Sequence, residues 1–153
     1  MTSANGPSIH GSAVLVGDRA VLIRGPSGAG KSRLAFDLIL AGGAGQIPKT
    51  VLIGDDRLYL EIQANQLYIR PVPELAGLIE VRGLGIRRCD FVDEAIIGLV
   101  VDLSANDAER QPPLGALSTI IDGVKLPRIP VGEGYPALPL VVAALKTVAH
   151  ISA

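Results

Sequence analysis

The stretch RAVLIRGPSGAGKSRLAFDLILAG, residues 19–42, constrains the fold more than any other part of this 153-residue chain. An apolar run suited to a buried strand precedes the glycines, and after them Leu34, Ala35, Leu38 and Ile39 recur at helical spacing. Between the two lies GPSGAGKS, which matches G-x-x-x-x-G-K-[ST] at Gly25, Gly30, Lys31 and Ser32. Glycines let consecutive backbone N–H groups converge on phosphate oxygens, and a helix that begins there adds the positive end of its dipole. Gly25, Pro26, Ser27, Gly28, Ala29, Gly30, Lys31 and Ser32 are therefore expected to form a phosphate loop (P-loop). Lys31 would reach the outer phosphates and the Ser32 hydroxyl would hold Mg²⁺. A strand, loop and helix of this kind predict an α/β domain with a mixed central sheet.

Composition narrows the function. The chain is 48% hydrophobic but only 3% aromatic and has no Trp, so its core must be built from Val, Ile, Leu and Ala. Fourteen Lys and Arg against fifteen Asp and Glu leave a net charge of −1, which offers no general attraction to nucleic acid or an anionic membrane. With few aromatic rings there is little to stack on single-stranded bases. Cys89, the single cysteine, has no disulfide partner in the chain, and no Cys and His spacing suggests a zinc site. Without a basic leader ahead of an apolar core, or an apolar run of spanning length, the chain reads as cytoplasmic. Residues 1–8 are small and polar and are expected to be flexible; residues 9–153 are expected to form one P-loop catalytic domain.

The rest of the chain supplies the strands. Ser12 to Val16 and Ala20 to Arg24 read as a hairpin turning at Gly17-Asp18, and the helix from Lys31 is expected to stop at the cluster AGGAGQ. TVLIGDD is a buried-type strand running into two acids, and RLYLEIQANQLYIRPV is a hairpin turning at Ala64-Asn65. PELAGLIEVRGLGIRRCDFV reads as a brief helical turn, the strand-like LIEV and a loop. Ala95 to Leu103 forms a second strong strand, SANDAERQPPLG is a polar linker, and LSTIIDGVKLPRIPVGEG is strand-turn-strand with prolines suited to edges. Leu138, Val141, Val142, Leu145 and Val148 mark a final helix, with Pro139 in its first turn and His150 at its C-terminal end.

The loop implies phosphate and leaves the recipient open. Asp55 and Asp56 follow an apolar strand, the position from which such an enzyme reaches its metal. Neighbours in an extended chain point opposite ways, so one acid can face Mg²⁺ and the other an incoming hydroxyl, although a turn after Gly54 would aim both inward. Glu80 is a further metal or catalytic candidate, and Arg82, Arg87 and Arg88 around Gly83 and Gly85 make the one dense basic patch. His10 stands just before the first strand, and Asp102 is either an acid behind the site or a strand-end cap.

In this order, HGSAVLVGDRAVLIRGPSGAGKS, LIGDD and PELAGLIEVRGLGI resemble the catalytic C-terminal domain of the bacterial HPr kinase/phosphorylase family, over roughly His10 to Ala149. The resemblance implies a core related to that of phosphoenolpyruvate carboxykinase. It further implies ATP and Mg²⁺ as cofactors, a serine of the phosphocarrier protein HPr as target, reversal by phosphorolysis and a homo-oligomer, commonly a hexamer. By the same resemblance Asp55 or Asp56 is the base, His10 modulates the pair, Lys31 is catalytic, and Ser32, Glu80 and Asp55 form the metal shell. The segment from Arg82 to Arg88 belongs to the signature tied to phosphorolysis and subunit coupling. The chain resembles the short, alphaproteobacterial form without the N-terminal domain of longer members. After Val131 it carries Gly132, Glu133, Gly134 and Tyr135 where the family is richer in Arg and Asn, which speaks against efficient phosphorolysis. Two other functions fit the loop itself: a small-molecule kinase or NTPase, and a nucleotide-sensing regulatory protein that transfers nothing. Nothing matches N-K-x-D, the guanine-reading motif.

Overall fold

The computed structural model describes residues 6–150. Residues 1–5, most of the segment expected to be flexible, and 151–153 lie outside the described residues. Residues 6–8 carry no regular structure, although Arg57 Nη1 donates to Ser8 Oγ at 3.1 Å. The strands are β1 (Ile9–His10), β2 (Ser12–Val16), β3 (Arg19–Arg24), β4 (Thr50–Gly54), β5 (Arg57–Gln63), β6 (Gln66–Pro71), β7 (Leu78–Val81), β8 (Gly85–Arg88), β9 (Ala95–Leu103), β10 (Ser118–Ile121) and β11 (Val124–Val131). The helices are α1 (Lys31–Gly43) and α2 (Ala137–Lys146).

Among the described residues, nine of these strands form one mixed sheet whose main path runs β1-β5-β6-β9-β3-β2-β4. Its centre is parallel: β3 and β11 both run alongside β9, while the remaining pairings are antiparallel. β9 shares one edge between two partners, β6 at Ala95 and Ile96 and β11 at Val100 to Leu103. β11 in turn pairs with β10 over Val124–Pro127 and with β9 over Arg128–Val131, so each half is open on its other side, where proline costs no ladder bond.

The tight turns follow their chemistry. Ala64 and Asn65 (φ 50° and 64°) and Asp122 and Gly123 (φ 49° and 82°) are two-residue hairpin loops with both central residues left-handed, the geometry that matches strand twist. Alternation sends neighbouring residues of β2, β3, β4 and β9 to opposite faces, and both faces are buried. Val14, Val21, Ile23, Leu52 and Val101 meet Leu34, Ala35, Leu38 and Ala41 of α1 and Val141 of α2. On the opposite face Ala13, Leu22, Ile53 and Val100 pack with Leu58, Leu67 and Ile69, so β5 and β6 fold over the sheet and cover it.

Three expectations are corrected. The segment after LIEV is not all loop, because Gly85–Arg88 pairs with Leu78–Val81 as a separate hairpin; all four residues of β8 are exposed, so no apolar alternation marks the strand. The final helix ends at Lys146, since Thr147 turns extended and its hydroxyl donates to the Ala143 carbonyl at 2.6 Å. Val148, 93% exposed, and His150 therefore stand beyond the helix, and His150 caps nothing there. The glycine cluster does stop α1, but only after Gly42 and Gly43 have joined it: Gln46 N–H bonds the Ala41 carbonyl and Gly45 N–H the Gly42 carbonyl, with Gly45 left-handed.

Gly42 stays because β4 passes against it. A Cβ there would lie 2.7 Å from the Thr50 backbone nitrogen, whereas at Gly43 it would meet nothing within 4 Å. Glycine to alanine within a helix ordinarily stabilises by about 0.4–1 kcal/mol. Gly43→Ala should therefore raise the thermal midpoint slightly, and Gly42→Ala should lower it; thermal melts of the two variants give the comparison.

Candidate active site

β3 ends at Arg24, and the loop that follows wraps over the head of α1. Gly25 is fixed by proximity, since a Cβ there would come within 3.0 Å of Leu103 Cβ. Gly28 and Gly30 are fixed by conformation, with φ of 81° and 99°. Gly30 is the residue before the helix, and no side chain caps the first amides of α1. Lys31 Nζ donates to the carbonyls of Gly25 at 2.8 Å and Pro26 at 3.1 Å, folding the side chain back over its own loop.

The acid pair splits at the end of β4. Asp55 is 5% exposed and gathers three donors: Ser12 Oγ at 2.5 Å, Ser32 Oγ at 2.8 Å and the Glu80 backbone N–H at 3.0 Å. Asp56 takes a left-handed φ of 76°, and its side chain, 70% exposed, lies 3.9 Å from His10 Nδ1. Here the chain has left the extended strand, yet the two carboxylates still face different surroundings. Arg57 N–H bonds the Asp55 carbonyl at 2.9 Å and closes the turn.

The structure thus brings Ser32, Asp55 and the backbone of Glu80 together at the helix head, with Asp56 and His10 next to each other one residue beyond Asp55. The Glu80 side chain itself is exposed. Arg82, Arg87 and Arg88 are exposed on the β7–β8 hairpin, whose first strand carries Glu80. Among the described residues no three His, Cys, Asp or Glu groups converge as a ready-made metal site. Cys89 is half-buried, and burial, followed by the nearby Asp90 and Asp55, pushes its thiol up, so it stays protonated.

Two groups escaped sequence reasoning. Ser12, 1% exposed, is the single polar residue of β2, and that misfit within SAVLV was its only signal. The other is the set of arginines around Asp102, which make that acid the centre of an ion-pair cluster rather than a strand-end cap. Arg24 grips it with two bonds of 2.7 and 2.8 Å, and Arg128 donates to it at 2.5 Å and to Asp107 at 2.8 and 3.0 Å. Burial works to raise the Asp102 carboxyl, but hydrogen bonds from Arg24 and Arg128 outweigh it and hold the group below its ordinary range.

These elements define an α/β domain with a mixed sheet, a glycine loop at a helix head and a buried carboxylate bonded to that head. The family model described as "HPr Serine kinase C-terminal domain" matches residues 2–147, and the chain belongs to that family. It is 34% identical over 152 residues to the HPr kinase/phosphorylase of Neisseria meningitidis serogroup C, covering 90% of this chain and 45% of that protein. With the enzyme of the same name from Geobacillus thermodenitrificans it shares 34% over 154 residues, 91% of this chain and 47% of that one. The chain therefore spans less than half the length of these relatives. The solved structure of the Hpr(Ser) kinase/phosphatase from Coxiella burnetii is similar with a TM-score of 0.71 and 26% identity, over 92% of this chain and 94% of that one. Among the described residues, no helix is long and apolar enough to cross a membrane.

A depressed carboxyl fixes the sign of a pH effect. Asp102 gains stability from its arginines that is fully present above the unfolded-state value of about 3.9 and is lost as pH falls through the lower folded-state value. Chemical melts from pH 6 downward should show wild type losing stability relative to Asp102→Asn only in the acid range below about 4, with a constant gap above it.

Proposed function

We propose that this domain is an ATP-dependent protein serine kinase whose target is the phosphocarrier HPr, working as a P-loop domain with a phosphoenolpyruvate carboxykinase-like core. The observation that carries the reading is the divided acid pair before the glycine loop, Asp55 buried on Ser32 and Asp56 open beside His10. The names of the relatives supply the substrate class, and the homo-oligomer, a hexamer, belongs to the same reading.

The residues present fit Mg²⁺. That ion favours hard oxygen donors, taking one or two carboxylates and completing its shell with phosphate and water. The Ser32 hydroxyl and the Asp55 carboxylate lie 2.8 Å apart on the loop side, and Glu80 is anchored to Asp55 through its backbone. Bound MgATP supplies the phosphoryl group and the charge that shields it. Around it the chain's own work is positioning: the loop amides and Lys31 hold the phosphates, with Lys31 leaving the Gly25 and Pro26 carbonyls to do so.

The acid pair takes the serine proton. Asp56 is the member open to an incoming hydroxyl, and His10 beside it modulates the pair. Val131 at the end of β11 is in register with Leu103, and Arg24 with Asp102, so the segment bearing Glu133 leaves the sheet on the glycine-loop edge. A negative charge at that edge disfavours inorganic phosphate and favours the forward reaction over phosphorolysis.

Incubation with labelled ATP and purified HPr, followed by locating the phosphate, tests the reading. Wild type should label a serine of HPr. Asp56→Asn should slow labelling by roughly 10²-fold or more with nucleotide affinity largely retained, whereas Asp55→Asn should weaken both. Unlabelled HPr with wild type overturns the function, and undiminished turnover in Asp56→Asn overturns the proton role.

A further inference from the structure

The Arg24, Asp102, Arg128 and Asp107 cluster has no part in the chemistry above, yet it adjoins the loop. Arg24 is the last residue of β3 and is followed at once by Gly25, whose carbonyl receives Lys31. Its in-register partner on the parallel strand β9 is Asp102. The next β9 residue, Leu103, is the one that a Cβ on Gly25 would strike. β9 therefore meets the start of the loop twice in succession, once through an ion pair and once through direct packing.

The pairing is built to hold position. The Asp102 side chain is 16% exposed, and both its oxygens are taken, Oδ1 by Arg24 and Oδ2 by Arg24 and Arg128. Arg128, 13% exposed, also bonds the Ala116 carbonyl and Asp107. A two-pronged guanidinium grip fixes direction as well as distance. Neutralising Asp102 would leave two arginines of like charge side by side at a half-buried rim, and Arg24 would have to swing away.

We infer that Asp102 is a positioning residue for the glycine loop: by gripping Arg24 it sets where Gly25 begins the loop relative to β9, and thereby where Lys31 and the loop amides meet phosphate. The inference rests on the reading of that loop as the nucleotide site. Asp107 makes a useful contrast, since it bonds Arg128 alone of the two arginines and is half-exposed.

The test compares Asp102→Asn, Arg24→Lys and Asp107→Asn in the full chain, measuring MgATP affinity by calorimetry and KM for HPr in the kinase assay. Asp102→Asn should weaken MgATP about tenfold or more, a change of about 1.4 kcal/mol, and leave KM for HPr unchanged. Arg24→Lys, which keeps the charge and loses the fork, should move affinity in the same direction by less, and Asp107→Asn should leave it unchanged. Unaltered MgATP affinity in Asp102→Asn and Arg24→Lys overturns the inference. So does an equal loss in Asp107→Asn, or a loss accompanied by an equal rise in KM for HPr, because either marks general loosening. If Asp102→Asn fails to fold, Arg24→Lys decides. A wild-type chain that binds MgATP without phosphorylating HPr defeats the kinase reading while the affinity measurements still decide this one. A wild-type chain that binds no MgATP overturns both.

Discussion

One buried carboxylate ties the site together. Asp55 directly follows β4, yet its three donors come from β2, from the head of α1 and from β7. A charge at 5% exposure is costly unless its oxygens are satisfied, and here each donor belongs to a different element. Satisfying Asp55 therefore fixes where the helix head, the first long strand and the signature hairpin stand relative to one another. Of the three bonds, the one to Ser32 joins Asp55 to the head of α1, directly after the glycine loop.

The glycine loop is held from two sides. From below, Asp102 and Leu103 of β9 meet Arg24 and Gly25; from the helix side, Ser32 bonds Asp55 and Lys31 lies over the loop carbonyls. Only the loop's crown, Pro26 to Gly28, is exposed. That arrangement suits phosphate binding, in which rigid amides cost no reorganisation when charge arrives. Lys31 closes over the loop, its ammonium resting on the Gly25 and Pro26 carbonyls.

Sequence made legible what depends on neighbours along the chain. The loop, its flanking strand and helix, and the Ala64-Asn65 turn all announce themselves within a few residues, because φ preference and apolar spacing are local properties. β8 was hidden for the same reason in reverse: every residue of it is exposed, and only pairing with β7 makes it a strand. Glu80 stood out as an acid, but the atom that reaches Asp55 is its backbone nitrogen, which no residue identity reports. The ion-pair cluster is illegible on distance alone, since Arg24 and Asp102 are 78 residues apart and Arg128 a further 26.

The split between Asp55 and Asp56 puts one dipeptide in two environments. Alternation in an extended strand would have separated the side chains, but the strand ends at Gly54 and Asp56 adopts a left-handed turn. Separation instead comes from closure of that turn: Arg57 N–H bonds the Asp55 carbonyl, and β5 starts immediately, with Arg57 pairing to His10 of β1. The same register that starts β5 thus carries His10 to Asp56. The histidine, a weak candidate from its place in the sequence, is delivered by strand pairing to the acid of the pair that remains open to solvent.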